Sequence, residues 1–482
     1  MADHARSQPL RSFVRRLRQA SAGDARRLRT EVAKGGVVLM VRQLMFVIFS
    51  AAGALVTTRI IGPSEYGIYI TALSIHLFVA GVFGLGVQAY LIRGPETADD
   101  RVFDIASTFL VTLGVACGLG EAALVLLVGK SLGIGAAIPI LVLMATTLAA
   151  QLAGAPALAR LDRQFEYERA ALVDLAGLAC YYTMAISLAF LGWGAWALAT
   201  GWTAQQAANL VGYHLAARWC PRRAWDWGVL RKMVGYSTAW AASGWIWQAR
   251  SLVNPLIVGN LLGIEAVGFV SLAQRLVDMV CFTRPIAWRV AMAAFARVQN
   301  EPRKLVRAIE DGMELQALAI GPPLIIFAAF GRDLVGSVFG ERWLPAFAVY
   351  PFVALASFGI VLFTLHSSAL SVYGRNLAVA LANGVGLVVF ATGTYLLIST
   401  LGVKAIGVAD VLALSSAAVL DWNFRRRVGS PSYLRSLPLV ASVAAALALS
   451  EFTRWAALLP LLALVWPGTW RRLNSYLPNP AV

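Results

Sequence analysis

Apolar stretches long enough to cross a bilayer recur along the whole chain, separated by short polar breaks. They fall at 34–58, 66–92, 102–128, 134–158, 171–191, 194–217, 234–258, 266–292, 308–331, 345–371, 377–401, 406–424, 436–450 and 455–470. A spanning helix needs about 20 predominantly apolar residues. The pattern therefore predicts fourteen helices, the last two short enough to form a re-entrant pair instead. Ile61-Gly62-Pro63-Ser64-Glu65-Tyr66-Gly67 resembles Leu262-Gly263-Ile264-Glu265-Ala266-Val267-Gly268 at an offset of 201 residues, and Ala72 matches Ala273. Each copy opens a set of six helices. An even number per set makes the repeats parallel, related by an axis along the membrane normal, as in alternating-access transporters. The expected divisions are a basic N-terminal segment at 1–33, an N-lobe at 34–217, a linker at 218–233, a C-lobe at 234–424 and a C-terminal pair with its tail at 425–482.

Composition excludes a soluble domain. Of 482 residues, 59% are hydrophobic and 14% charged, against about a quarter charged in soluble domains. Mean hydropathy is +0.69. The net charge of +16 does not indicate a nucleic-acid partner, because the arginines cluster between apolar stretches as topology signals do. With the N-terminus placed in the cytoplasm, 30 of the 41 Lys and Arg fall on the cytoplasmic side, 6 on the outer side and 5 within spans. Leu10, Phe13, Val14 and Leu17 repeat at helical spacing among arginines, which reads as a basic amphipathic helix on an anionic leaflet or as a disordered basic tail. Cys117, Cys180, Cys220 and Cys281 have no CxxC spacing, so neither a disulfide framework nor a zinc site is expected.

The candidate chemistry is charge inside the spans. Arg42, Arg250, Arg275, Arg284 and Arg289 lie in predicted helices 1, 7 and 8. Each arginine at a span centre costs about 2.5–3.5 kcal/mol on insertion scales, so they are expected to face protein, water or ligand. At 100° per residue, Arg275, Asp278 and Arg289 share one face of predicted helix 8, and Arg284 points away unless Pro285 kinks it. Arg42, Arg250, Arg275 and Arg284 are the candidates for a cationic cavity that grips phosphate bidentately; the competing reading is local pairing, such as Arg275 with Asp278. Asp174, Asp278 and Glu121 are candidate sites for a coupling ion or proton, or partners for the arginines. His76 and His366 are lone histidines in apolar spans, read as satisfied core residues rather than proton carriers, with pH switching as the alternative. Trp240, Trp245 and Trp247 serve either packing or sugar stacking. No Walker, GxSxG or HExxH motif appears, and the outer loops are too short for a catalytic domain. No enzyme activity, metal or cofactor is expected.

Four segments carry a resemblance. They are Arg59-Ile60-Ile61-Gly62-Pro63-Ser64-Glu65-Tyr66-Gly67-Ile68-Tyr69 with the Gly-rich end of helix 2 and Arg93; the LxRxxxFxxxA pattern in 158–173 followed by Gly192-Trp193-Gly194-Ala195-Trp196-Ala197-Leu198; the hairpin at 259–275 ending Ala273-Gln274-Arg275; and Phe339-Gly340-Glu341-Arg342-Trp343 with Tyr373-Gly374-Arg375. Together they are similar to the Wzx-type polysaccharide flippases of the multidrug/oligosaccharidyl-lipid/polysaccharide exporter superfamily. The resemblance implies an all-α polytopic fold with two parallel six-helix lobes around a central cationic cavity, plus two C-terminal helices. It implies a bacterial inner-membrane protein with both termini cytoplasmic. The implied cargo is an undecaprenyl-diphosphate-linked oligosaccharide, flipped by ion-coupled alternating access, with membrane lipids, a polysaccharide polymerase and export machinery as partners. Where relatives often carry Asp in helix 7 this chain has Asn254, which removes a titratable group there. The alternatives are a cation-coupled multidrug antiporter of the same superfamily and a membrane polysaccharide polymerase or ligase.

Overall fold

The computed structural model describes residues 48–93, 99–164, 166–282 and 284–461, without the side chains of 93, 238–243, 285–290, 293 and 435. The expected N-terminal segment and Arg42 lie outside the described residues. The chain divides into two units, Met1–Ala52 and Gly53–Val482. Only 48–52, which are helical, are described in the first; the second holds the rest of the described chain.

The described residues form helices and turns with no strand. After the short apolar helix α1 (Ile48–Ile61) come α2 (Pro63–Phe83), α3 (Val87–Arg93), α4 (Asp100–Val128), α5 (Ile138–Arg163), α6 (Tyr167–Phe190) and α7 (Ala195–Ala216). The later helices are α8 (Trp227–Ala249), α9 (Ile264–Val280), α10 (Arg284–Val298), α11 (Pro302–Val338), α12 (Leu344–Val372), α13 (Asn376–Leu401), α14 (Lys404–Ala413), α15 (Ala417–Arg427) and α16 (Leu437–Leu449). Eight described helical segments are long and apolar enough to cross a membrane. This is a multi-pass all-helical membrane fold. Large apolar side chains point outward along it: Leu127 is 81% exposed, Phe190 72% and Leu396 70%. Soluble monomers avoid such surfaces; in a bilayer they meet lipid. The thirteen residues of α16 reach only about 20 Å, short of a full crossing.

The two repeat copies fold alike. Gly62 caps α2 at φ 85°, ψ 169°, and Gly263 caps α9 at φ 91°, ψ 169°. That region of backbone space is essentially restricted to glycine. Five residues on, one and a half turns into each helix, Gly67 faces the carbonyl of Ile264 while Gly268 faces that of Pro63. The contact is reciprocal, as two parallel lobes related by a pseudo-twofold axis require. The same end of the bundle is stitched by loops. Arg59 donates to the Val338 carbonyl at 2.9 Å, Arg342 to that of Arg59 at 2.6 Å, Trp343 to that of Thr58 at 3.1 Å and Asn260 to that of Leu132 at 2.8 Å. We call this the hairpin end and the opposite, arginine-rich end the basic end.

Two predicted helices are broken. The span expected at 66–92 divides into α2 and α3 at Gly84-Leu85-Gly86, where Leu85 and Gly86 take φ of 51° and 67°. The span expected at 266–292 divides into α9 and α10. Pro285 lacks the N–H that would bond the Cys281 carbonyl, and its ring would clash there; in the first turn of a new helix neither matters. This is a break rather than a kink, and it re-aims Arg284.

Candidate substrate-binding site

Trp247 and Arg250 stand one turn apart at the end of α8, on the face turned to the C-lobe. From there the helix tightens into a 3-10 turn at Arg250–Leu252 and widens into a π segment at Asn254–Val258. Such irregularities mark functional segments, and Pro255, with no N–H to donate, favours one here. Buried Asn254 turns into the protein, donating to the Ser271 hydroxyl at 3.0 Å.

Trp247, Arg250 and Arg284 line a cavity of about 620 Å³ with Thr364, Asn383 and Asp410, within the ~300–1,000 Å³ usual for ligand sites. Arg250 forms an ion pair with Asp410, and its guanidinium lies 4.2 Å from the centre of the Phe390 ring. Arg250 and Arg284 sit 5.7 and 5.6 Å from the centre of the Trp247 ring, so one indole serves two cations. Arg284 makes no ion pair within 4.0 Å among the described residues. The two guanidiniums and one carboxylate leave the lining with one net positive charge. Such a surface suits an anion rich in oxygen acceptors, and guanidinium matches phosphate geometry.

The remaining predicted residues lie elsewhere. Arg275 sits between the lobes, donating to the Tyr182 hydroxyl at 2.9 Å and towards Tyr66 at 3.5 Å. Tyr69 and Tyr181, themselves hydrogen-bonded at 3.2 Å, complete the cluster. Asp278 is exposed, within the field of Arg284 and Arg275. Buried Glu121 places both carboxylate oxygens 3.2 Å from Nδ1 of His76, and Thr147 lies 3.4 Å from Nε2. Asp174 accepts from the Tyr213 hydroxyl. The structure thus brings Arg250 and Arg284 together and separates them from Arg275, Asp174 and Glu121. Sequence reasoning missed the tyrosine cluster. The signal was there in part: a guanidinium inside a span needs partners, and Tyr66, Tyr69, Tyr181 and Tyr182 are among the few polar groups nearby in depth.

Tyr182→Phe is expected to lower thermal stability in detergent more than Arg275→Met. The first change leaves a charge in place with one partner fewer, and a hydrogen bond to a charged group contributes about 1.5–3 kcal/mol. The second removes the charge together with its desolvation. Melting curves of the two variants rank them, and the reverse order would show that the tyrosine hydroxyl does not carry the contact.

A family model described as polysaccharide biosynthesis protein matches residues 56–348. The chain belongs to this family. Among members of the polysaccharide biosynthesis group, the succinoglycan biosynthesis transport protein ExoT of Rhizobium meliloti (strain 1021) is 22% identical over 306 residues, which is 62% of this chain and 61% of ExoT. The teichuronic acid biosynthesis protein TuaB of Bacillus subtilis (strain 168) is 25% identical over 159 residues, 33% of each chain. The chain thus spans from a third to about three fifths of these relatives. Its fold is similar to that of solved transporters. An inward-facing multidrug resistance MATE family transporter matches with TM-score 0.64 and 13% identity over 80% of this chain and 98% of its own. The lipid II flippase MurJ in an inward closed conformation matches with TM-score 0.64 and 11% identity over 90% and 98%.

Proposed function

We propose that this protein flips a polyprenyl-diphosphate-linked oligosaccharide across a bacterial inner membrane during polysaccharide biosynthesis. The observation that carries the reading is the pair Arg250 and Arg284 beside Trp247, lining one cavity in which Asp410 is the one carboxylate among the described residues. A diphosphate cannot enter hydrocarbon unaided. Guanidiniums already inside the bilayer offset its desolvation while the polyprenyl tail stays in lipid. Membership of the polysaccharide biosynthesis family, and the name of ExoT as a transport protein, support the substrate class.

In this proposal the lobes at 34–217 and 234–424, joined by 218–233, rock about the cavity, and 425–482 packs outside them. The hairpin end faces the periplasm, closed in the state described above, and both termini are cytoplasmic. The lipid-linked glycan enters from the basic end. Ion coupling is part of the proposal. Asp174, Asp278 and Glu121, which lies against Nδ1 of His76, are the candidate carboxylates. A polymerase and export machinery would receive the product.

The test is reconstitution of the full chain in liposomes with two probes, a fluorescent undecaprenyl-diphosphate disaccharide and a cationic dye. Translocation of the lipid with no dye transport is the expected result. Dye exchange without lipid flipping would replace this reading with the multidrug antiporter.

A further inference from the structure

A second cavity, of about 500 Å³, lies in the N-lobe on the other side of α8. Its polar lining consists of Gln88, Gln151, Gln206, Asn209, Gln248 and Tyr213, with no charged side chain among the described residues. Four helices supply these polar side chains. Gln206, Asn209 and Tyr213 repeat at i, i+3, i+7 and so share one face of α7. These residues explain a peculiarity of α7: it has 22 residues and no Asp, Glu, Lys or Arg, yet is not apolar enough to count among the eight candidate spans. Gln151 comes from α5 and Gln88 from α3, just past the break at Gly84-Leu85-Gly86 that lets α2 and α3 contribute to one wall.

The segment of α8 at 244–250 separates the two cavities. Trp247 and Arg250 look into the cationic one, Gln248 into the amide one. Trp245 anchors the wall by donating to the Gly81 carbonyl at 3.2 Å.

Polar groups buried in a membrane helix normally find partners. Here several do not. Gln206 is 7% exposed and makes no hydrogen bond among the described residues. Gln151 Oε1 is buried without a partner. The acids nearby stand behind the lining: Asp162 accepts from Gln88 at 3.2 Å and Asp174 accepts from Tyr213. The lining itself carries no charged side chain among the described residues, which suits a neutral ligand. A carboxamide offers two donors and an acceptor in one plane, which matches adjacent hydroxyls on a sugar ring, each both donor and acceptor.

We infer that the N-lobe cavity is the subsite for the distal sugar of the glycan, with the diphosphate itself held on the other face of α8 by Arg250 and Arg284. This rests on the flippase reading and adds to it which half of the molecule reads the glycan.

The experiment is binding to the purified full chain of undecaprenyl diphosphate carrying a hexose disaccharide and of bare undecaprenyl diphosphate. Wild type is expected to bind the glycosylated probe at least tenfold more tightly. Gln206→Leu and Gln151→Leu, made separately, are each expected to remove fivefold or more of that preference with the affinity for the bare lipid unchanged; that unchanged affinity also reports a folded protein. Arg284→Ala is expected to weaken both probes alike. If wild type binds the two lipids equally, or if the glutamine variants keep the wild-type preference, the sugar subsite is overturned while the cationic site stands. If wild type binds neither lipid, the flippase reading fails and the subsite with it.

Discussion

An Arg284→Ala protein is expected to flip diphosphate-linked glycan at about a hundredth of the wild-type rate or less. The reason is charge. Arg250 and Arg284 set against Asp410 leave one positive charge in the lining, and removing Arg284 brings it to zero. A unit charge about 5 Å away at an effective dielectric of about 20 is worth roughly 3 kcal/mol, a factor of more than a hundred in affinity. Arg250→Ala reaches the same net charge by a different route, since it also leaves the buried Asp410 carboxylate without its counter-ion. It is therefore expected to lose thermal stability as well as transport, and Arg250→Ala combined with Asp410→Ala, which leaves Arg284 as one uncompensated positive charge, to regain stability and a substantial part of the rate. Asp410→Asn raises the lining charge and is expected to tighten bare undecaprenyl diphosphate. Rates in liposomes and melting curves on the same preparations separate these outcomes. An Arg284→Ala protein with wild-type flipping would remove the cationic cavity from the mechanism.

The fold was more legible than the site, for a physical reason. Apolar span length and the position of basic loops are local properties, and so is the glycine hairpin. Gly62 and Gly263 sit where only glycine is comfortable, so the repeat was written into the sequence as two residues whose backbone conformation agrees within a few degrees. The site depends on encounters between distant segments. Arg250 meets Asp410 across 160 residues, and Arg275 meets Tyr182 across 93. Helical-wheel geometry put Arg284 opposite Arg275, and that geometry ceases to apply once the helix stops at Val280 and restarts at Arg284. The proline was visible, but a break of one helix into two is decided by what the freed ends pack against. The amide cavity left a local trace, since Gln205, Gln206 and Asn209 interrupt an otherwise apolar span; their common target is visible only with α3, α5 and α8 in place.

Gly67→Ala and Gly268→Ala are expected to block the transport cycle by a wedge at the hairpin end, with the strongest effect when combined. At both positions an added Cβ meets backbone of the other lobe: the carbonyl groups of Ile264 and Pro63, with their carbonyl carbons at 3.0 Å in each case. Backbone cannot swing aside as a side chain can, so the helices α2 and α9 must part. Overpacking of this kind costs about 1–3 kcal/mol per site. Applied to only one of two states, about 3 kcal/mol shifts their ratio more than a hundredfold. The state with the hairpin end closed is the one penalised. Gly263→Ala is the informative control. Nothing lies within 4 Å of its added Cβ, yet its φ is +91°, so the change strains the turn by about 1–3 kcal/mol and wedges nothing. In a background where Cys117, Cys180, Cys220 and Cys281 are replaced, a Ser367→Cys probe in the cationic cavity reports access. Membrane-impermeant maleimide from the hairpin side is expected to label it faster in the Gly67→Ala and Gly268→Ala proteins, and at the parent rate with Gly263→Ala, which should show only a lower melting temperature. Parent labelling and normal flipping in the doubly substituted protein would mean that the close approach of α2 and α9 plays no part in closing the hairpin end, and that the lobes part and meet along some other line.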